Sequence, residues 1–386
     1  MQNLEQLHVN VKKGDKKSQL ALCYYYFEQQ EKQKLNELFI PLLQQNYPPA
    51  LLAKVDFYIQ QSPDKGIGLL YQLAADNMPM ANYKMAMLLF FHPELTLDFA
   101  SYLTQAIQLE EEPAILVGAY LFFRLGHPEH AQKLLLKFKS MPEIASYIDL
   151  LSIDFKHNVP DEHIDFTLLK RPEYNTQIPK MIAAEINLFS IDNFLTPFEC
   201  LWLKNRARSA LGASYVVNGE SGELLLSEVR TGEYAQLLPI MEDWILLDIE
   251  QRIAQITGVP MVNGELSNIL HYQPGQEYKA HYDFFHPRDP GSTVAMQDGG
   301  QRIKTALCYI EPSETGGETA FPRLDISISG HQGQLIVFNN TTNDSAPLPL
   351  SLHQGLPVVK GEKWLLTKWL REQSTSYQKD LLRLNV

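Results

Sequence analysis

Alanines at positions 21, 50, 81, 114 and 145 recur at spacings of 29, 31, 33 and 31 residues. Each sits in a small-residue-anchored segment with apolar and aromatic neighbours, from Ala21-Leu22-Cys23-Tyr24-Tyr25-Tyr26-Phe27 to Ala145-Ser146-Tyr147. A fixed period near thirty residues admits few architectures, because a unit that cannot bury its own apolar face must stack on its neighbours. Turn signals between copies, Ser62-Pro63-Asp64, His92-Pro93 and Gly126-His127-Pro128, make the unit a helix hairpin. Small residues let paired helices approach closely while leucines and aromatics fill the seam. Residues 1–155 are therefore expected to form a helical repeat domain. Tyr24, Tyr25 and Tyr26 read as seam packing, with a peptide-lining groove as the alternative.

Across 156–184 the period lapses, and Pro160, Pro172 and Pro179 break any helix, so this stretch reads as a linker. From 185 to 386 the texture changes. Residues 185–191 alternate like a strand, and Thr196-Pro197-Phe198-Glu199 is a capping box with proline in the first helical position. It predicts a helix to about Leu211, and a second helix is expected over 237–257. Short strands follow over 265–273, 278–283, 303–310, 334–338, 350–353 and 364–370, interrupted by polar loops at 218–222 and 287–300. The fold class is thus α+β: helical repeats followed by a double-stranded β-helix (jelly roll) with supporting helices.

The chemistry concentrates in this second half. In a strand, His281 and Asp283 point to one face, and His353 from a distant strand can complete a triangle around a metal. Two imidazoles and a carboxylate suit Fe(II) and leave positions open for a co-substrate and O2. A His-x-Asp pair by itself is common on protein surfaces; the distal histidine and Lys363, ten residues beyond it, strengthen the metal reading. Alternation puts Lys363, Thr367 and Trp369 on one face of the last strand. A buried ammonium there needs an anion, whereas at a turn it would simply be exposed. His271 alternates away from Tyr272 and reads as a packed residue, and His286 reads as a loop residue.

Residues 265–372 resemble the catalytic domain of the collagen-type prolyl 4-hydroxylases. The matching stretches are Tyr272-Gln273-Pro274-Gly275, His281-Tyr282-Asp283-Phe284-Phe285, Gly299-Gly300-Gln301-Arg302, Gly316-Gly317-Glu318-Thr319-Ala320-Phe321-Pro322, His353-Gln354-Gly355 and Lys363-Trp364-Leu365-Leu366-Thr367-Lys368-Trp369. Weaker similarity reaches back to residue 185 and includes Arg230-Thr231. The resemblance implies an Fe(II)- and 2-oxoglutarate-dependent dioxygenase acting on proline in a peptide or protein, with ascorbate as the rescuing reductant. It makes His281, Asp283 and His353 the iron ligands, and Lys363 the partner of the 2-oxoglutarate carboxylate with Tyr272 and Thr319 beside it. Glu265, Tyr278, Arg302 and Trp369 become peptide contacts. Two positions depart from the pattern: Arg371, where some relatives carry histidine, and Gly232, where serine is common. Gly68-Leu69-Leu70-Tyr71-Gln72-Leu73-Ala74-Ala75, more loosely, is similar to tetratricopeptide or Sel1-like repeats, which would recruit the substrate protein.

Charge and cysteine content narrow the partners. Lys and Arg number 33 against 45 Asp and Glu, a formal charge of −12 with no basic stripe, so nucleic acid is not an expected partner. Cys23, Cys200 and Cys308 are widely spaced and form no Cys-x-x-Cys pair, so neither a zinc knuckle nor a disulfide framework is indicated. Without a leader-like start or a membrane-length apolar run, the expectation is a soluble cytoplasmic protein with no membrane partner. Two other readings stay open: the same chemistry on a free amino acid, another peptide residue or a small molecule, and a repeat scaffold with a vestigial barrel.

Overall fold

The computed structural model describes residues 4–92, 97–150, 163–172, 178–213, 215–217, 224–226, 229–237, 243–286 and 289–376. The chain divides after Glu111 into two compact units. Seven helices are described in the first, Leu4–Lys12, Lys16–Glu28, Lys32–Gln44, Pro48–Gln61, Pro63–Ala75, Pro79–Phe91 and Phe99–Gln108. Proline in the first turn starts three of them, where its missing N–H costs nothing. Gly14, Gln30, Asn46, Asn77 and Glu110 follow five of the helix ends in the left-handed conformation that stops a helix and reverses the chain.

The recurring alanines fall in alternate helices, but they are not equivalent. Ala50, Ala81 and Ala114 are buried, whereas Ala21 is exposed and Ala145 half-buried. In the first copy Cys23 takes the buried small-residue position and joins Phe39, Leu42, Ala53 and Phe57 in one core cluster. The tyrosine run is seam packing: Tyr24 meets the edge of Phe57, and Tyr26 is buried. Tyr24 Oη also donates to Asp56 at 2.7 Å, and Asp56 pairs with Lys84 at 3.1 Å, so the buried charges are matched.

The second unit begins with helices Glu112–Arg124, Pro128–Lys137 and Pro142–Leu150, earlier than the boundaries at 155 and 185 read from the sequence. These helices share a core with those that support the sheets, Pro197–Arg208 and Trp244–Thr257. Asp248 accepts from Tyr120 Oη and pairs with Arg124 at 3.3 Å and Arg252 at 3.2 Å, while Glu199 also pairs with Arg252. Tyr147 stacks on Phe198 and Trp202. Glu199 does double duty, because the capping box with Thr196 is formed as expected.

An eight-stranded antiparallel sheet runs in the order Lys180–Ala183, Leu188–Ile191, Leu335–Asn339, Arg302–Glu311, Lys363–Arg371, Ser267–Tyr272, Glu233–Leu237, Gly212–Ala213. A four-stranded sheet runs Ile326–Ile328, Thr319–Phe321, His353–Gly355, Tyr278–His281. Phe321 of the smaller sheet meets Phe338 of the larger edge-on, in a core that includes Leu270, Leu307 and Ile336. This is the double-stranded β-helix expected.

Several elements differ from the sequence reading. The supposed linker contains the first strand of the large sheet, and residues 156–162 and 173–177 lie outside the described residues. The second helix starts at Trp244, because 233–237 pairs with Ser267–Tyr272 as a strand and Asp243 caps the helix by accepting from Leu246 N. Pro349–Ser351 is a 3-10 turn, so its strand begins at His353. The 287–300 loop contains the helix Pro290–Ala295. The polar loop at 218–222 lies outside the described residues.

Candidate active site

His281 and His353 are register partners on adjacent strands of the smaller sheet, with ring centroids 4.3 Å apart. Asp283 does not reach them by strand alternation as expected, because the strand ends at His281 and Asp283 lies in the bend beyond it. It is held from the opposite sheet instead: Thr305 Oγ1 donates to Asp283 Oδ2 at 2.7 Å. The carboxylate then spans both rings, with Oδ1 3.5 Å from His281 Nε2 and Oδ2 3.5 Å from His353 Nε2. One ligand atom from each residue lies within 4.8 Å of the others, and among the described residues no other such group of three occurs.

The ring orientations suit a cation. His281 Nδ1 lies 2.8 Å from Lys279 O and His353 Nδ1 lies 3.0 Å from Ser351 O. A carbonyl only accepts, so each Nδ1 carries a proton, and each Nε2, turned toward Asp283, is the nitrogen placed to meet a cation. Burial, with His281 nearby, pulls the His353 imidazole down to about 4, so it is neutral at pH 7. Burial acts to raise the Asp283 carboxyl, but His353, His281 and Thr305 outweigh it and hold it well below the ordinary range. Two imidazole nitrogens and one ionised carboxylate, all inward-facing, fit Fe(II).

Across the pocket stands Lys363, 2% exposed and in register with Tyr272. Burial pulls its ammonium down to about 7, partly offset by Glu318. Among the described residues no carboxylate lies within ion-pair distance, and its one hydrogen bond is to Thr319 Oγ1 at 3.5 Å. Thr319 also accepts from Tyr309 Oη at 2.8 Å, so its own proton is free to donate toward the pocket. Thr367 Oγ1 and Trp369 Nε1 are buried without a hydrogen-bond partner among the described residues, and both residues line the same pocket. These groups fit an anion with further acceptor oxygens.

The four expected peptide contacts divide. Tyr278 and Trp369 line the pocket, and Tyr278 stacks on His281 with centroids 3.5 Å apart. Burial raises the Tyr278 phenol to about 12, so it stays a neutral donor. Glu265 and Arg302 do not line it. They form a two-pronged pair at 2.6 and 2.7 Å, and the Arg302 guanidinium lies 3.7 Å over the Trp369 ring, fixing that wall.

The two departures now have structural accounts. Arg371 pairs with Glu265 at 2.6 Å and donates to Ala295 O at 2.6 Å, tying the last strand to the segment after the metal-side bend. A Cβ at Gly232 would sit 2.6 Å from both His271 O and Tyr272 Cδ1, so the absence of a side chain there lets Tyr272 occupy its place. His271 is packed as expected, stacked on Trp364 between Glu233 and Glu362. His286 lies outside the triangle, in a loop. Sequence reasoning missed Thr305, Tyr309 and Asn340. Alternation in the 303–310 strand places Thr305 and Tyr309 as polar groups on its inward face; nothing local marks Asn340.

Residues 267–371 match the model of the 2OG-Fe(II) oxygenase superfamily. The chain is 35% identical over 212 residues to prolyl 4-hydroxylase 1 of Arabidopsis thaliana, covering 51% of this chain and 73% of that protein. To prolyl 4-hydroxylase 5 of the same plant it is 38% identical over 209 residues, covering 49% and 70%. Among solved structures it is similar to a viral collagen prolyl hydroxylase of Paramecium bursaria Chlorella virus-1 in its 2OG complex. That match has 28% identity and a TM-score of 0.38, covering 48% of this chain and 95% of the viral one.

Proposed function

The chain belongs to the prolyl 4-hydroxylase family, and on that premise we propose that its site hydroxylates C4 of proline within a peptide or protein. The observation that carries this reading is the His281–Asp283–His353 triangle facing an ammonium, Lys363, that has no carboxylate partner among the described residues. Fe(II), 2-oxoglutarate and O2 supply the oxidising chemistry, with succinate and CO2 as co-products.

The protein's own groups do the rest. His281, Asp283 and His353 hold the metal. Lys363 and the Thr319 hydroxyl receive the far carboxylate of 2-oxoglutarate, with Tyr272 beside them. Leu270, Leu307 and Leu365 line the pocket between these groups and keep it dry, which strengthens each charge-assisted bond. Tyr278 and Trp369 offer flat apolar walls with one donor each, suited to a pyrrolidine ring flanked by peptide carbonyls. Arg302 and Glu265 keep Trp369 in place rather than reaching the ring themselves.

The same reading gives the helical unit the task of recruiting the substrate protein, as stacked helices offer an extended surface. It lets ascorbate restore the metal, and it places the protein in the cytoplasm, where the free, buried Cys23, Cys200 and Cys308 would stay reduced. No helix among the described residues is long and apolar enough to cross a membrane. The test is succinate release from 2-oxoglutarate dependent on a proline peptide, with mass spectrometry locating the added oxygen. Turnover that ignores proline peptides but responds to a free amino acid would move the substrate assignment to that class.

A further inference from the structure

Two buried polar side chains behind Asp283 do not line the pocket. Thr305 lies on the strand Arg302–Glu311 and Asn340 just past the strand Leu335–Asn339, and both are 0% exposed. Thr305 Oγ1 is 2.7 Å from Asp283 Oδ2, and Asn340 Nδ2 is 2.8 Å from Thr305 Oγ1. The chemistry of the three groups gives this chain one direction. An ionised carboxylate only accepts, so the single Thr305 hydroxyl proton must point at Asp283. Thr305 then has only lone pairs left for Asn340, which must present its NH2 and not its carbonyl. The backbone holds both residues in place: Thr305 is the register partner of Phe338, and Asn340 N donates to Ile303 O at 2.8 Å.

We propose that Asn340 and Thr305 are positioning residues whose one-way hydrogen-bond relay clamps Oδ2 of Asp283 and leaves Oδ1 with its lone pairs for the metal. The proposal rests on the metal-centre reading above. Asp283 sits in a bend, without strand pairing to fix its rotation, so a side-chain clamp from the facing sheet has to do so. A carboxylate held by one oxygen cannot swing to chelate through both, and it occupies a single coordination position. The relay thereby preserves the open positions that 2-oxoglutarate and O2 require.

The test uses the full chain and Mn(II), a redox-inert probe, titrated by calorimetry. Thr305→Val removes the hydroxyl at nearly constant shape. Asn340→Asp keeps the shape but offers only acceptors, so it draws the Thr305 proton away from Asp283. Each should weaken Mn(II) binding by roughly ten- to a hundredfold, whereas Thr305→Ser, which keeps the hydroxyl, should stay near the wild-type affinity. Wild-type affinity in Thr305→Val overturns the relay. If circular dichroism shows that Thr305→Val does not fold, Asn340→Asp decides alone, and wild-type affinity there overturns the relay equally. Failure of the metal centre looks different: wild-type protein and His281→Ala would bind Mn(II) equally weakly.

Discussion

Replacing Lys363 with methionine should make the protein more stable and abolish its hold on 2-oxoglutarate. The lysine is 2% exposed, and burial lowers its ammonium from the ordinary 10.5 to about 7. At ~1.4 kcal/mol per pH unit, that difference corresponds to about 5 kcal/mol of penalty for folding the charged form. Relaxation and the lost Thr319 contact reduce the gain, leaving about 2–4 kcal/mol for a methionine of similar length. The sign follows from proton counting. Between pH 7 and 10.5 the unfolded chain binds a proton that the folded chain does not, so wild-type stability rises with pH through that window. Below pH 7 both states are protonated and the penalty is fully present. The Lys363→Met advantage should therefore be greatest at or below pH 7 and vanish near pH 10. For a unit of this size it amounts to a melting-temperature rise on the order of 10 °C. With Mn(II) present throughout, saturating 2-oxoglutarate should close the gap from the other side, stabilising wild type by about 3 kcal/mol at a hundred times its Kd and leaving the variant unmoved. Calorimetric melts at pH 6.5, 8 and 9.5, with and without ligand, measure all of this. A variant that melts at or below wild type, with a difference independent of pH, would refute the buried, unpaired ammonium.

His281→Ala, Asp283→Ala and His353→Ala should each abolish succinate formation while leaving circular dichroism unchanged; near-wild-type turnover in any two would overturn the triangle as a metal centre. Gly232→Ser should cost about 1–3 kcal/mol of stability by overpacking and raise the apparent KM for 2-oxoglutarate, because its Cβ meets the Tyr272 ring and the His271 carbonyl. An unchanged KM would show that Tyr272 keeps its place without that glycine. A fragment beginning at Glu112 should fold and one beginning at Pro179 should not. The shorter one lacks Tyr120 and Arg124, whose loss from buried Asp248 costs about 3–5 kcal/mol. Equal melting temperatures for the two fragments would contradict this.

Much of this was legible along the chain because its signals are local. Periodicity announced the helices, the capping box at Thr196 announced its helix, and alternation put Lys363, Thr367 and Trp369 on one face, where the pocket now finds them. The residue types of the triangle and their order, His281, Asp283 and His353, were likewise legible along the chain. Other features depend on pairs far apart in sequence. Strand pairing sets His281 beside His353, 72 residues away, and a threonine on the facing sheet, not alternation, fixes Asp283. The helix Glu112–Arg124 reads as one more repeat, yet Tyr120 and Arg124 belong with Asp248 in the catalytic unit. Glu265 and Arg302 read as peptide contacts, yet each satisfies the other's half-buried charge. Sequence determined which groups had to be buried; only the tertiary structure decided which partner each would have, because a buried charge or hydroxyl is satisfied by whatever the fold places within about 3 Å of it.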